Sequence, residues 1–182
     1  MQSLAPVAGL RGNYVGMAPD WTVPQSLDDY SEDDHAVWRL LVERQTGLAR
    51  NFACKEFMEG LESLGIGNSI PDFEAVNGRL EALTGWRVVG VPGLIPDAAF
   101  YDHLAHRRFP VTVWIRKRDE LDYLVEPDLF HDFFGHVPLL SHPVFADFMQ
   151  RYGQRAADAG PDLDRWARLY WYTVEFGLIR TK

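Results

Sequence analysis

The stretch Glu126-Pro-Asp-Leu-Phe-His131-Asp-Phe-Phe-Gly-His136-Val-Pro138 sets two histidines five positions apart among three phenylalanines. Imidazole is the commonest metal ligand among side chains. An apolar surround controls solvent access and dielectric around a bound ion. The stretch therefore reads as half of a metal site. On a continuous α-helix, residues five apart lie about 140° apart around the axis, so the pair does not share a face. Gly135 loosens the chain, and Val137 stands before Pro138, a position steered away from the α region. The pattern predicts a helix ending near Gly135, with His136 turning back toward His131. Taken alone, the pair equally fits one histidine capping a helix end and another satisfied in the core.

A third ligand has to come from elsewhere. Glu175 is the only acid in Leu169-Tyr-Trp-Tyr-Thr-Val-Glu175-Phe-Gly-Leu178. A carboxylate buried in such a run costs several kcal/mol without a cation or metal beside it. Arg168 and Arg180 are the nearest cations in sequence, and neither sits at the i±3 or i±4 spacing that would put it next to Glu175. Two histidines and one carboxylate with open positions suit a non-haem Fe(II) centre. Zinc takes the same donors. His103 and His106 lie three apart beside Asp102, Arg107 and Arg108, and read as a solvated helix face. His35 and His142 each stand near a predicted helix start.

The elements that would position these residues are mostly helical. Ser31-Glu-Asp-Asp34 has the form of a capping box, opening a helix to about Leu48 with Val37, Leu40, Leu41 and Leu48 inward. A second helix runs from about Phe52 to Gly65, and a third from Pro71 to Gly85 with Phe73, Val76, Leu80 and Leu83 inward. Trp86–Val91 reads as a strand, Pro92–Pro96 as a loop, Asp97–Arg107 as a helix and Pro110–Ile115 as a second strand. Arg116–Glu120 is a charged turn, and helices follow from Pro143 to Ala157 and from Leu163 to Leu178. Residues 1–30 carry Gly and Pro without a steady period and read as an extended or poorly ordered arm, pinned by Trp21, Val23 or Tyr30. The expectation is one domain over residues 31–182, mainly α with two or more short β-strands.

Composition narrows the function classes. The 182 residues are 47% hydrophobic and 24% charged, with a net charge of −8, which argues against nucleic-acid or anionic-membrane partners. A single cysteine, Cys54, rules out a disulfide within the chain and fits a reducing compartment. Residues 1–20 lack the basic start and apolar run of a targeting signal, and no stretch is long and apolar enough for a membrane helix. The expected location is the cytoplasm.

The two-histidine stretch, followed by Tyr-Trp-Tyr-Thr-Val-Glu175-Phe-Gly-Leu, closely resembles the pterin-dependent aromatic amino acid hydroxylases. The likeness is greatest to bacterial phenylalanine 4-hydroxylases, and it extends through Asp34–Trp38, Glu43–Gln45, Leu83–Trp86 and Val91–Leu94. The resemblance implies that His131, His136 and Glu175 bind a catalytic Fe(II), with Tyr170 near it. It implies pterin contacts from Gly93, Leu94, Ile95, Phe100 and Asp132. Arg116 would pair with the substrate carboxylate, and Pro127, Trp171 and Phe176 would line the pocket for its ring. The implied reaction converts L-phenylalanine to L-tyrosine with O2 and a tetrahydropterin. Tryptophan or tyrosine hydroxylation, or a zinc-binding helical protein, are the alternatives. Leu124 departs from the family, whose eukaryotic members carry a polar residue there. Family catalytic domains also continue well past the glutamate. The resemblance thus implies a chain truncated at its C-terminal end, complete in ligands but lacking one wall of the cleft. It lacks the tetramerisation helix of animal members, so a monomer is expected.

Overall fold

The computed structural model describes residues 10–177. Among these residues are seven α-helices and two short strands: α1 (Glu32–Phe52), α2 (Lys55–Ser63), α3 (Phe73–Thr84), β1 (Arg87–Val91), α4 (Asp97–Ala105), β2 (Arg108–Thr112), α5 (Leu129–Leu140), α6 (Pro143–Ala157) and α7 (Leu163–Tyr170). A π-helical turn, Trp171–Glu175, continues α7. The mainly helical architecture with a small sheet is the one expected from the sequence.

The strands pair in parallel, Arg87 opposite Arg108 through Val91 opposite Thr112, with α4 as the crossover. Both strands therefore end at the same edge, where loops can gather around a ligand. The outer side of β1 is capped by side chain and strap. Asn77, buried on α3, donates to the Val88 carbonyl at 3.0 Å and accepts from the Val88 amide at 2.7 Å. The Val23 amide donates to the Gly90 carbonyl at 2.9 Å. Each contact satisfies a backbone group that would otherwise be left open on a buried sheet edge.

Helix starts follow local chemistry. Ser31 and Asp34 form the capping box of α1, and Asp72 and Asp128 cap α3 and α5 with their carboxylates. The differences from expectation lie at helix ends and faces. α1 runs on through Gly47 to Phe52, so the second helix starts only at Lys55. α3 begins at Phe73, because the Asp72 carboxylate supplies the cap. β2 spans Arg108–Thr112, earlier than Pro110–Ile115. Leu40, Leu48 and Leu83 are exposed rather than inward. Leu40 lies off the stripe of Val37, Trp38, Leu41 and Val42, while Leu48 and Leu83 sit in last turns that extend beyond the core.

The largest correction concerns α5, which continues through Pro138 to Leu140. Proline removes one N–H and disfavours helix in the residue before it. Here, however, Phe130, Phe133, Phe134, Val137 and Leu140 are all buried, and that apolar face rewards an unbroken helix. The helix end is then satisfied from outside: the Ser141 hydroxyl and amide donate to the Pro138 carbonyl at 2.6 and 3.2 Å, and the Thr84 hydroxyl donates to the Leu140 carbonyl at 2.8 Å. A Cβ on Gly60 of α2 would overlap the Pro138 carbonyl, so only glycine admits α2 this close to α5.

Candidate metal centre

His131 and His136 both stay in α5 and still converge, their ring centroids 5.4 Å apart. Long side chains, rather than a broken helix, close the angle between them. Glu175 meets both: its Oε1 lies 2.8 Å from His131 Nε2 and its Oε2 lies 3.3 Å from His136 Nε2. One ligand atom from each residue falls within 4.8 Å of the others, a spacing that an ion can bridge. Among the described residues no other group of three such side chains does so. The His131 side chain is 39% exposed, against 13% for His136 and 15% for Glu175, so the cluster opens to solvent on the His131 side.

The π-helical turn brings Glu175 there. In an α-helix Glu175 would sit about 140° around from Tyr170. The Phe176 amide instead donates to the Trp171 carbonyl at 3.0 Å, five residues back, so the chain turns less per residue and Glu175 stays nearer the buried face of Tyr170. Tyr170 anchors this end, with its ring against Phe100, Tyr101 and Tyr152 at 5.5 to 6.1 Å. Its hydroxyl is buried without a hydrogen-bond partner among the described residues.

Electrostatics suit a cation. Burial opposes ionisation of Glu175, but hydrogen bonds from His131 and His136, and their charge, hold its carboxyl far below the usual range. Burial likewise opposes protonation of His131, and Glu175 with Asp132 more than offsets it, raising the imidazole. Both imidazole Nε2 edges aim at one carboxylate, so a divalent ion could replace the protons that link them. Two imidazole nitrogens and a carboxylate are the donor set of non-haem Fe(II) sites, and the residues fit that group. Burial pushes the Tyr170 phenol well up, with Glu175 adding to it, so the hydroxyl stays protonated.

The other residues singled out from sequence fall around this cluster. Gly93 is buried, Leu94 exposed and Ile95 half-buried in the loop after β1, at the sheet edge where both strands end. Phe100, on α4, packs edge-on to Phe109, which in turn lies 5.4 Å from the His136 ring. Asp132 accepts the Thr112 amide at 2.9 Å, tying α5 to the end of β2. Burial pushes its carboxyl up, against the pull of His131 and that amide. Trp171 and Phe176 pack together at 4.9 Å with more than half of each exposed. Pro127 is half-buried just before α5.

Arg116 is not a solvated turn residue. Its Nε and Nη2 grip Asp128 at 2.9 and 2.8 Å in a bidentate pair, with Asp128 fully buried. Asp128 also accepts the Arg116 amide at 2.9 Å and caps α5 at the His131 amide, also at 2.9 Å. Sequence reading missed Asp128 in this role, although an Asp placed before a helix is a visible cap signal. His103 was misread too. It is 1% exposed, and its Nε2 lies 2.8 Å from the Asp20 carbonyl, whereas His106 is exposed.

The model of the biopterin-dependent aromatic amino acid hydroxylases matches residues 16–182. The chain belongs to this family. It is 58% identical over 175 residues to a phenylalanine-4-hydroxylase of Mesorhizobium japonicum, covering 94% of this chain and 63% of that protein. It is 58% identical over 167 residues to the phenylalanine-4-hydroxylase of Chromobacterium violaceum, covering 90% of this chain and 56% of that one. The structure of the Chromobacterium violaceum enzyme with iron(III) and 7,8-dihydrobiopterin bound superposes with a TM-score of 0.83 at 56% identity, covering 86% of this chain and 58% of that one. Its iron- and phenylalanine-bound structure gives 0.80 at 52% identity, covering 91% and 59%. The chain thus spans less than two thirds of the relatives it matches. Among the described residues no helix is long and apolar enough to cross a membrane.

Proposed function

We propose that the chain is the iron- and pterin-binding part of a phenylalanine 4-monooxygenase, converting L-phenylalanine to L-tyrosine with O2 and a tetrahydropterin. The convergence of His131, His136 and Glu175 carries this reading. Support comes from relatives that are phenylalanine-4-hydroxylases, one of them solved with iron and dihydrobiopterin and with iron and phenylalanine. His131, His136 and Glu175 would hold Fe(II), the donor set of a non-haem iron oxygenase. Iron and tetrahydropterin together supply the activation of O2.

The chain's own residues bind, orient and exclude water. The Gly93–Ile95 backbone and the Phe100 ring receive the pterin, with Asp132 facing it from α5. Asp128 fixes the Arg116 guanidinium so that its free Nη1 edge meets the amino acid carboxylate. Pro127, Trp171 and Phe176 form an apolar seat for the substrate ring. Tyr170 offers a protonated hydroxyl close enough to Glu175 to feel its charge. We also place the protein in the cytoplasm, a reading supported by its one free, exposed cysteine, Cys54.

The test measures iron and product together. The purified chain is expected to bind one Fe(II), and His131→Ala to lose it while keeping the helical signature. Tyrosine formation is expected from phenylalanine with tetrahydropterin, and faster than turnover of tryptophan or tyrosine. Absence of iron binding, or iron retained by His131→Ala, overturns the metal assignment. Preferred turnover of another aromatic amino acid overturns the substrate, and activity supported by zinc but not iron overturns the chemistry.

A further inference from the structure

The strap before α1 meets the Pro92–Pro96 loop backbone to backbone. The Tyr14 hydroxyl donates to the Leu94 carbonyl at 2.9 Å. A Cβ on Gly93, at φ 155°, would sit 2.9 Å from both the Arg11 carbonyl and the Tyr14 hydroxyl. In return, a Cβ on Gly12, at φ 100°, would overlap the Pro92 carbonyl. Two glycines thus face each other's chain, and only residues without a Cβ allow that approach. The strap is itself anchored. The Arg11 amide donates to the Glu126 carboxylate at 3.0 and 3.3 Å, its guanidinium pairs with Glu120 at 2.8 Å, and it lies 5.2 Å from the Trp114 ring centre. Trp114 Nε1 in turn donates to the Pro92 carbonyl at 3.1 Å.

We propose that Tyr14, with Gly12, is a positioning residue for pterin binding: the strap at residues 11–14 braces the loop so that its free backbone groups are pre-set for the cofactor. The inference rests on reading Gly93–Ile95 as the pterin loop. With the Pro92 and Leu94 carbonyls taken by Trp114 and Tyr14, the loop keeps a fixed pattern of free donors and acceptors. A ligand then does not have to order the loop on arrival, which is where pre-organisation yields affinity. Burial, with the negative Glu126 adding to it, keeps the Tyr14 hydroxyl protonated and hence a donor. Arg11 ties the strap to Glu126, just before α5, by contacts that Tyr14→Phe leaves in place.

Tyr14→Phe keeps the ring and removes the bond to Leu94. Calorimetric titration of the iron-loaded chain with 7,8-dihydrobiopterin is expected to show Kd raised about three- to tenfold, the size of one hydrogen bond. Fe(II) affinity should be unchanged, hydrogen exchange at the Leu94 and Ile95 amides faster, and Val15→Ala, one residue on and exposed, without effect. Gly12→Ala is expected to raise Kd further. If the unaltered chain binds the pterin and Tyr14→Phe binds it equally, with loop exchange unchanged, the brace is refuted while the cofactor reading stands. If the unaltered chain binds no pterin, the cofactor reading fails and the brace with it. A Tyr14→Phe variant that weakens iron and pterin alike points to general loosening and also overturns the proposal.

Discussion

The two sides of the metal cluster are built differently. The histidines ride on α5, seven of whose twelve residues are buried, with Phe133 stacked on Phe73 and edge-on to Trp38. The glutamate arrives on α7 and its π-helical turn, where Tyr170 alone is buried and Leu169, Trp171, Tyr172 and Phe176 are all exposed. One side is fixed by the core; the other rests on Tyr170, on the half-buried Leu163, Trp166, Ala167 and Val174, and on the histidines it meets. The histidine pair therefore belongs to the fold, whereas Glu175 belongs to the site.

If that contrast is right, Phe133→Ala should damage the whole molecule. An aromatic removed from a closed core costs about 3–5 kcal/mol, read from denaturant unfolding of the metal-free protein, and iron binding should fall in step with stability. Glu175→Gln should do the reverse. Fe(II) affinity should drop at least on the order of 100-fold, beyond the usual cost of losing an outer-sphere partner. The unfolding midpoint of the metal-free protein should fall less than in Phe133→Ala, because only the pairing of Glu175 with the two histidines is lost. A large loss of stability in Glu175→Gln would break the contrast.

Acidity gives a finer test. In the metal-free protein His131 has a raised folded pKa, so its contribution is present below the ordinary histidine range and lost as pH rises through the folded value. Glu175 has a lowered one, so its contribution is present above the ordinary carboxylate range and lost as pH falls toward the folded value. Metal-free stability should therefore be greatest between those two ranges. Fe(II) affinity should instead keep climbing as pH rises, because the ion needs both imidazoles neutral. Urea midpoints and metal titrations across pH check both slopes. The smallest effect is expected at Trp171→Ala: more than half exposed, it should shift stability by no more than about 0.5 kcal/mol. Its consequence should fall on phenylalanine binding.

The fold and the ligands were legible where the signal is local. Ser31 with Asp34 is read from the few residues around it. The three side chains proposed to hold the metal stood out by residue type in apolar company. What sequence did not show depends on partners far along the chain. α5 outlasts Pro138 because buried neighbours reward it, and no dipeptide rule contains those neighbours. His103 is buried because Asp20, 83 positions away, folds over it. Arg116 stands in a charged turn, and nothing near it in sequence shows that Asp128, twelve positions on, grips its guanidinium. The strap is invisible to periodicity, since its contacts are isolated hydrogen bonds and one ion pair rather than a repeating face.

Asp128 deserves a separate reckoning for anyone sorting variants of this chain by their symptoms. Its two oxygens accept from the Arg116 amide, the Arg116 guanidinium and the His131 amide at once. Replacing it with alanine frees an arginine and uncaps a helix in the same event, so, on the proposed role of Arg116, a kinetic assay should show poor amino acid affinity and poor iron retention together. That double symptom resembles two separate lesions at the reacting centre. Its source is one acid that touches neither the iron nor the amino acid.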